Sequence, residues 1–62
     1  MGNPRLLSIP SAAEWLGIGQ WSLREHIWAG RIPVVRPTPN GKMWLDRQDL
    51  ERFIKDNKFT VT

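Results

Sequence analysis

Residues 8–30 read Ser8-Ile9-Pro10-Ser11-Ala12-Ala13-Glu14-Trp15-Leu16-Gly17-Ile18-Gly19-Gln20-Trp21-Ser22-Leu23-Arg24-Glu25-His26-Ile27-Trp28-Ala29-Gly30, and this stretch decides the fold. Ile9, Ala12, Ala13 and Leu16 recur at helical spacing, which predicts a helix from Ile9 to Leu16 with one apolar stripe. Ser8 precedes it as an N-cap, its hydroxyl free to accept from an orphan first-turn N–H. Pro10 falls in the first turn, where a missing N–H costs little. Gly17 follows as a C′ residue able to take positive φ. So short a helix, about two turns, must be held by packing rather than propensity. A second helix is predicted from Gln20 to Ala29, closed by Gly30. Leu23, His26 and Ile27 form its inward stripe; Gln20, Trp21, Arg24, Glu25 and Trp28 point elsewhere. Ile18, apolar between two glycines, implies that the helices pack at an angle around a buried residue. Two short helices joined by a three-residue turn containing glycine form a helix-turn-helix pattern.

Beyond Arg31-Ile32-Pro33 the pattern changes. Val34-Val35-Arg36 and Met43-Trp44-Leu45 are short, β-favouring and partly alternating, which predicts two strands. Asn40-Gly41 between them predicts a hairpin turn, since both residues tolerate positive φ. Pro37 and Pro39 stiffen that loop and keep it out of the ladder. A third helix is expected after Asp46, its N-cap, with Asp49 complementing the dipole and Leu50, Phe53 and Ile54 as the apolar face. The predicted fold is α+β, mostly α: a winged helix-turn-helix with a two-stranded wing and a closing helix. Residues 1–5 read as a flexible lead-in, 6–57 as the domain and 58–62 as a tail.

Sixty-two residues leave room for one core only. A chain of this size buries only about 60% of its unfolded surface, and such domains often need staples. No cysteine is present, and His26 is the one histidine, so disulfides and thiolate or multi-histidine metal sites are excluded and no cofactor is expected. The four Trp are expected to substitute for staples, with one or two serving a partner. No apolar run approaches the length of a membrane span, and position 6 is Leu where an N-myristoylation signal has Ser or Thr. No signal-peptide pattern is seen, so a cytoplasmic setting is expected. The net charge is +3, and all of it lies between residues 18 and 45, where Arg24, Arg31, Arg36 and Lys42 oppose Glu25 alone. Such clustering points to an anionic partner, although four cations in one segment also arise by chance.

Three runs together resemble the excisionase-type DNA-binding domains of the MerR-like winged-helix superfamily. The first is Ser8-x-x-x-Ala12-Ala13-x-x-Leu16-Gly17-Ile18. The second is Leu23-x-x-x-Ile27-x-x-Gly30-Arg31-Ile32-Pro33. The third joins Val35-Arg36, a glycine-containing tip and Asp46-Arg47-x-Asp49-Leu50-x-x-Phe53-Ile54. The resemblance covers about residues 6–55. It departs from the pattern at Gly19, where the family has Ser or Thr, at Trp21 and Trp28, which are more often polar or basic, and in a longer, proline-rich tip.

The resemblance implies an architectural DNA-binding protein of a phage or mobile element, acting on the bacterial nucleoid. It would bend attachment-site DNA so that an integrase excises, with several copies cooperating on adjacent sites. Three other roles remain open on this scaffold: a small transcriptional regulator, a terminase small-subunit-like DNA-binding domain, and a protein–protein adaptor using its Trp surface.

The second helix is expected in the major groove of double-stranded DNA. Arg24 suits guanine O6 and N7, Gln20 suits adenine N6 and N7, and Ser22 suits a phosphate or base edge. The plain alternative for all three is solvated surface. Trp21 faces thymine methyls or sugar, or packs on the wing or lead-in; Trp28 is expected in packing or a protein contact. Arg36, Asn40 and Lys42 at the wing are expected on minor-groove edges or backbone. Arg31 and Arg47 are expected as phosphate anchors. His26 is expected as a half-buried packing residue. Ser22 and His26 lie i,i+4, but a triad needs an orienting group and an oxyanion hole, so no enzyme is expected.

Overall fold

The structure is a computed structural model that describes residues 5–60. Its elements run β1 (Leu6–Leu7), α1 (Ile9–Leu16), α2 (Gln20–Trp28), β2 (Leu45–Asp46) and α3 (Arg47–Asp56). Three helices with a two-stranded antiparallel sheet make an α+β, mostly helical domain. Among the described residues no helix is long and apolar enough to cross a membrane.

The helix ends follow their local chemistry. Ser8 Oγ accepts from the Ser11 N–H at 3.3 Å and caps α1. Gly17 ends α1 at φ 75°, and its N–H closes on Ala13 and Glu14 carbonyls. α2 begins after Gly19, whose backbone is extended and which offers no side-chain cap. Ala29 is its C-cap, and Gly30 follows at φ 78°. Asp46 caps α3, its carboxylate accepting from the Gln48 N–H at 2.9 Å. Asn57 closes α3 by donating its side-chain amide to the Phe53 carbonyl at 2.8 Å.

The buried core is Ile9, Ala12 and Ala13 of α1, Leu23 of α2, Ile32, Leu45 of β2 and Leu50 of α3. Leu16, Ile18, Ile27, Met43 and Phe53 pack around it, so the turn residue Ile18 does join the two helices to the core. Burying each large aliphatic side chain stabilises by roughly 1.5–3 kcal/mol. Two expectations are corrected here, and one buried residue is added. Trp does not fill this core: Trp15, Trp21 and Trp28 are all exposed, and Trp44 is half-buried. Ile54, one turn beyond Leu50 on the same side of α3, is 37% exposed: the buried core takes Leu50 alone from this helix, with Phe53 packed against it. Ile32, between Arg31 and Pro33, is buried, although no periodicity marks it.

The sheet also differs from the expected hairpin. β2 pairs with β1 in the register Leu6↔Asp46 and Leu7↔Leu45. The 34–36 segment contributes a single antiparallel bridge, Val35↔Trp44, with reciprocal N–H to carbonyl bonds of 2.7 Å. The expected Asn-Gly turn with positive φ is absent, since neither Asn40 nor Gly41 has positive φ. Instead the Gly41 N–H donates to the Thr38 carbonyl at 3.1 Å, so Pro39 and Asn40 are the central pair. Pro at i+1, Asn at i+2 and Gly at i+3 suit a type I turn, and Pro39 presets the φ that turn needs. A Cβ at Gly41 would meet the Thr38 hydroxyl, an exposed side-chain group that would have to rotate aside.

Of the predicted lead-in, residues 1–4 lie outside the described residues. Arg5 is tied down: its carbonyl accepts from the Arg47 N–H at 2.8 Å, and its Nε lies 3.1 Å from Asp46 Oδ2. Its Nη2 also donates to Gln48 Oε1 at 3.3 Å. In the predicted tail, 58–60 carry no regular structure and 61–62 lie outside the described residues.

Candidate nucleic-acid interface

The predicted site residues separate into groups by element. Arg24 projects from the middle of α2, while Arg36 and Lys42 stand on either side of the Thr38–Gly41 turn. These three meet in one open groove of about 450 Å³, whose other walls are Ser8, Ile9, Pro10, Gly41 and Met43. The groove therefore joins the start of α1, the flank of α2 and the loop between Val35 and Trp44. The Val35↔Trp44 bridge holds that loop against the domain, and Met43, half-buried against the core, anchors its second limb. Among the described residues neither Arg24, Arg36 nor Lys42 is ion-paired. Three cations facing one groove repel each other, and an anion relieves that repulsion.

Gln20, Trp21 and Ser22 are exposed on the first turn of α2 but do not line the groove. Asn40 is exposed at the centre of the turn, also outside the lining. Two predicted anchors lie elsewhere. Arg31 borders a second, mixed-charge cleft with Asp49, Arg52 and Asp56, and its Nη1 lies 3.1 Å from His26 Nδ1. Arginine has no acceptor, so His26 accepts there. The His26 ring packs on Phe53 with centroids 4.9 Å apart, in keeping with a half-buried packing residue. Arg47 is the first residue of α3; its Nη2 stands 3.9 Å from Glu51 Oε1 and its buried Nε has no partner.

Ser8 and Pro10 reach the groove although the sequence marks them only as helix-start residues. No pattern within the chain could have found them, because their place at the groove depends on how α1 and the loop pack. Trp21 and Trp28 meet edge to face, ring centroids 5.3 Å apart and planes at 83°, and remain 66% and 61% exposed. Seven residues, about two helical turns, separate them, which places both on one side of α2.

The titration of Asp46 is displaced downward. The Gln48 backbone N–H, and then the Arg5 side chain, hold its carboxyl below the ordinary value of 3.8. That carboxylate serves the α3 cap and stands apart from the groove. Among the described residues no group of three His, Cys, Asp or Glu is placed to hold a metal ion. No protein-family model matches the chain, and no curated protein matches it at a significant level.

Proposed function

We propose that this protein binds double-stranded DNA sequence-specifically as a winged helix-turn-helix, without catalysing a reaction. α1 and α2 form the helix-turn-helix, α2 enters the major groove, and the loop 36–43 is the wing. The observation that carries this reading is the convergence of Arg24, Arg36 and Lys42 on one groove, from two elements, with no acidic side chain lining it. A phosphate row lying along the groove meets cations from both elements. Such contacts set the position and orientation of the duplex, and base edges met by α2 set the sequence. Gln20 at the start of α2 and Arg24 one turn later reach the same side of a duplex laid against the helix.

The resemblance to excisionase-type domains supports the narrower role. The protein would bend attachment-site DNA and so direct an integrase to excise a mobile element. Bending a site of 20–30 base pairs costs of order 1–6 kcal/mol, which contacts from two elements help to offset.

The test is retention of a random duplex pool as salt is raised. Affinity should fall with a log–log slope of about −0.9 for each phosphate neutralised, hence about −3 for the three groove cations. Weak, salt-independent retention would remove DNA as the partner. A duplex selected from the pool should then migrate as a bent complex when the site is permuted along a longer fragment.

A further inference from the structure

We infer that the Trp21–Trp28 pair is an apolar ridge that reads thymine C5-methyl groups in the major groove; this rests on the proposed DNA-binding role of the same helix. α2 buries Leu23 and half-buries His26 and Ile27. At about 100° per residue, the direction opposite that stripe falls on Trp21, Glu25 and Trp28. This outermost face is therefore not basic: it is two indoles with one carboxylate. The indoles brace each other edge to face, which fixes the ridge before any partner arrives. Both rings stay about two-thirds exposed, and neither belongs to the core.

Charge complementarity says what covers the ridge. Arg24 lies roughly 40–60° around the helix from it, on the flank shared with Arg36 and Lys42. A polyanion held on that flank lays its neighbouring surface against the indoles. In B-DNA the surface beside the phosphate row is the major-groove floor, about 12 Å wide and able to admit one helix. Glu25, exposed on the ridge, repels phosphate and keeps the backbone to the flank. It also offers an acceptor suited to cytosine N4.

Each indole has one donor and no acceptor, so it cannot make the bidentate bonds that identify a purine. What it offers is apolar area, and the one apolar group on a major-groove edge is the thymine methyl. The preferred site should therefore carry thymines opposite Trp21 and Trp28, with cytosine beside them.

The experiment selects duplexes from a random pool of about 20 base pairs with the full chain. The selected duplex is then resynthesised with deoxyuridine for thymidine, one position at a time. This removes a methyl from the DNA and leaves the protein untouched, so folding is not at issue. Affinity should fall about fourfold at each contacted position, the worth of one buried methyl-sized group. In Trp21→Ala and Trp28→Ala the difference between the two duplexes should vanish at the contacted positions. Equal affinity for thymine and uracil duplexes throughout, with selection otherwise successful, overturns the ridge but keeps DNA binding. No enrichment and no salt-dependent retention overturns the DNA reading beneath it. Trp variants that keep the thymine–uracil difference but abolish self-association in sedimentation overturn the ridge in favour of a contact between copies.

Discussion

Asp46 holds two segments at one position. Its carboxylate caps α3 through the Gln48 N–H and pairs with Arg5 from the opposite end of the chain. Both contacts favour the ionised form and lower its pKa below 3.8. The linkage has a definite sign. A depressed carboxylate contributes stability above its unfolded pKa, and that contribution is lost as pH falls through the lower folded value. Thermal melts of the parent should therefore show an acid-labile component developing below about pH 4 that Asp46→Ala lacks. Asp46→Asn still caps α3, because Asn is as good a cap as Asp, but it too should lack that component. If Asp46→Asn melts as low as Asp46→Ala at neutral pH, the cap is not what Asp46 supplies.

Leu50 and Ile54 are one turn apart and read alike in sequence, yet only Leu50 is fully buried. Leu50→Ala should cost about 2–5 kcal/mol through transfer and cavity, close to the total stability of so small a domain. Ile54→Ala should cost roughly 1 kcal/mol or less. Urea titration of both variants checks the ranking, and equal losses would mean that α3 packs on a broader face.

At the element scale, glycines at opposite ends of one turn have opposite requirements. Gly17 at φ 75° sits in the left-handed region, where a Cβ meets its own carbonyl; no neighbour lies within 4 Å of a Cβ there, so strain is the only obstacle. Gly17→Ala should therefore destabilise by about 1–2 kcal/mol. Gly19 is extended at φ −72°, has equally open space and lacks a cap. Gly19→Ser adds the missing side-chain acceptor and lowers the entropy of the unfolded chain, for a gain of roughly 0.5–1 kcal/mol. Thermal melts read both, and a loss of stability on Gly19→Ser would contradict the open space seen there. All three helices were legible in sequence because caps, C′ glycines and apolar spacing act within a few residues. β1 was not, because two residues are too short to show alternation and their partners lie about forty residues away. The turn departs from the Asn-Gly pattern because Pro39 shifts the central pair one residue ahead of Asn40-Gly41.

For the molecule as a whole, the net charge of +3 is carried by residues 18–45 alone. Folding divides these cations. Arg24, Arg36 and Lys42 face the groove, whereas Arg31 turns to His26 and the second cleft. Under the proposed role, affinity for duplex DNA should follow that division. Lys42→Ala should weaken binding to all sequences alike and reduce the salt slope by about one. Arg24→Ala, which removes a second groove cation, should likewise weaken binding to selected and random duplexes and reduce the salt slope by about one. Arg31→Ala should change the slope less than Lys42→Ala does. Filter binding across a salt series reads all three, and an Arg31 effect equal to that of Lys42 would place the second cleft on the duplex.

The sequence alone determined the helices, their caps, the apolar stripes and the segment that holds the charge. Each of these is local, set by hydrogen bonds and side-chain spacing within a turn or two. Only the tertiary structure decided which cations share a groove, that Arg5 and β1 close onto Asp46 and β2, and that three of the four Trp are left exposed outside the core. The reason is that aliphatic side chains from five separate segments fill so small a centre first. Where the polar, charged and aromatic groups come to rest is then fixed by how those segments pack.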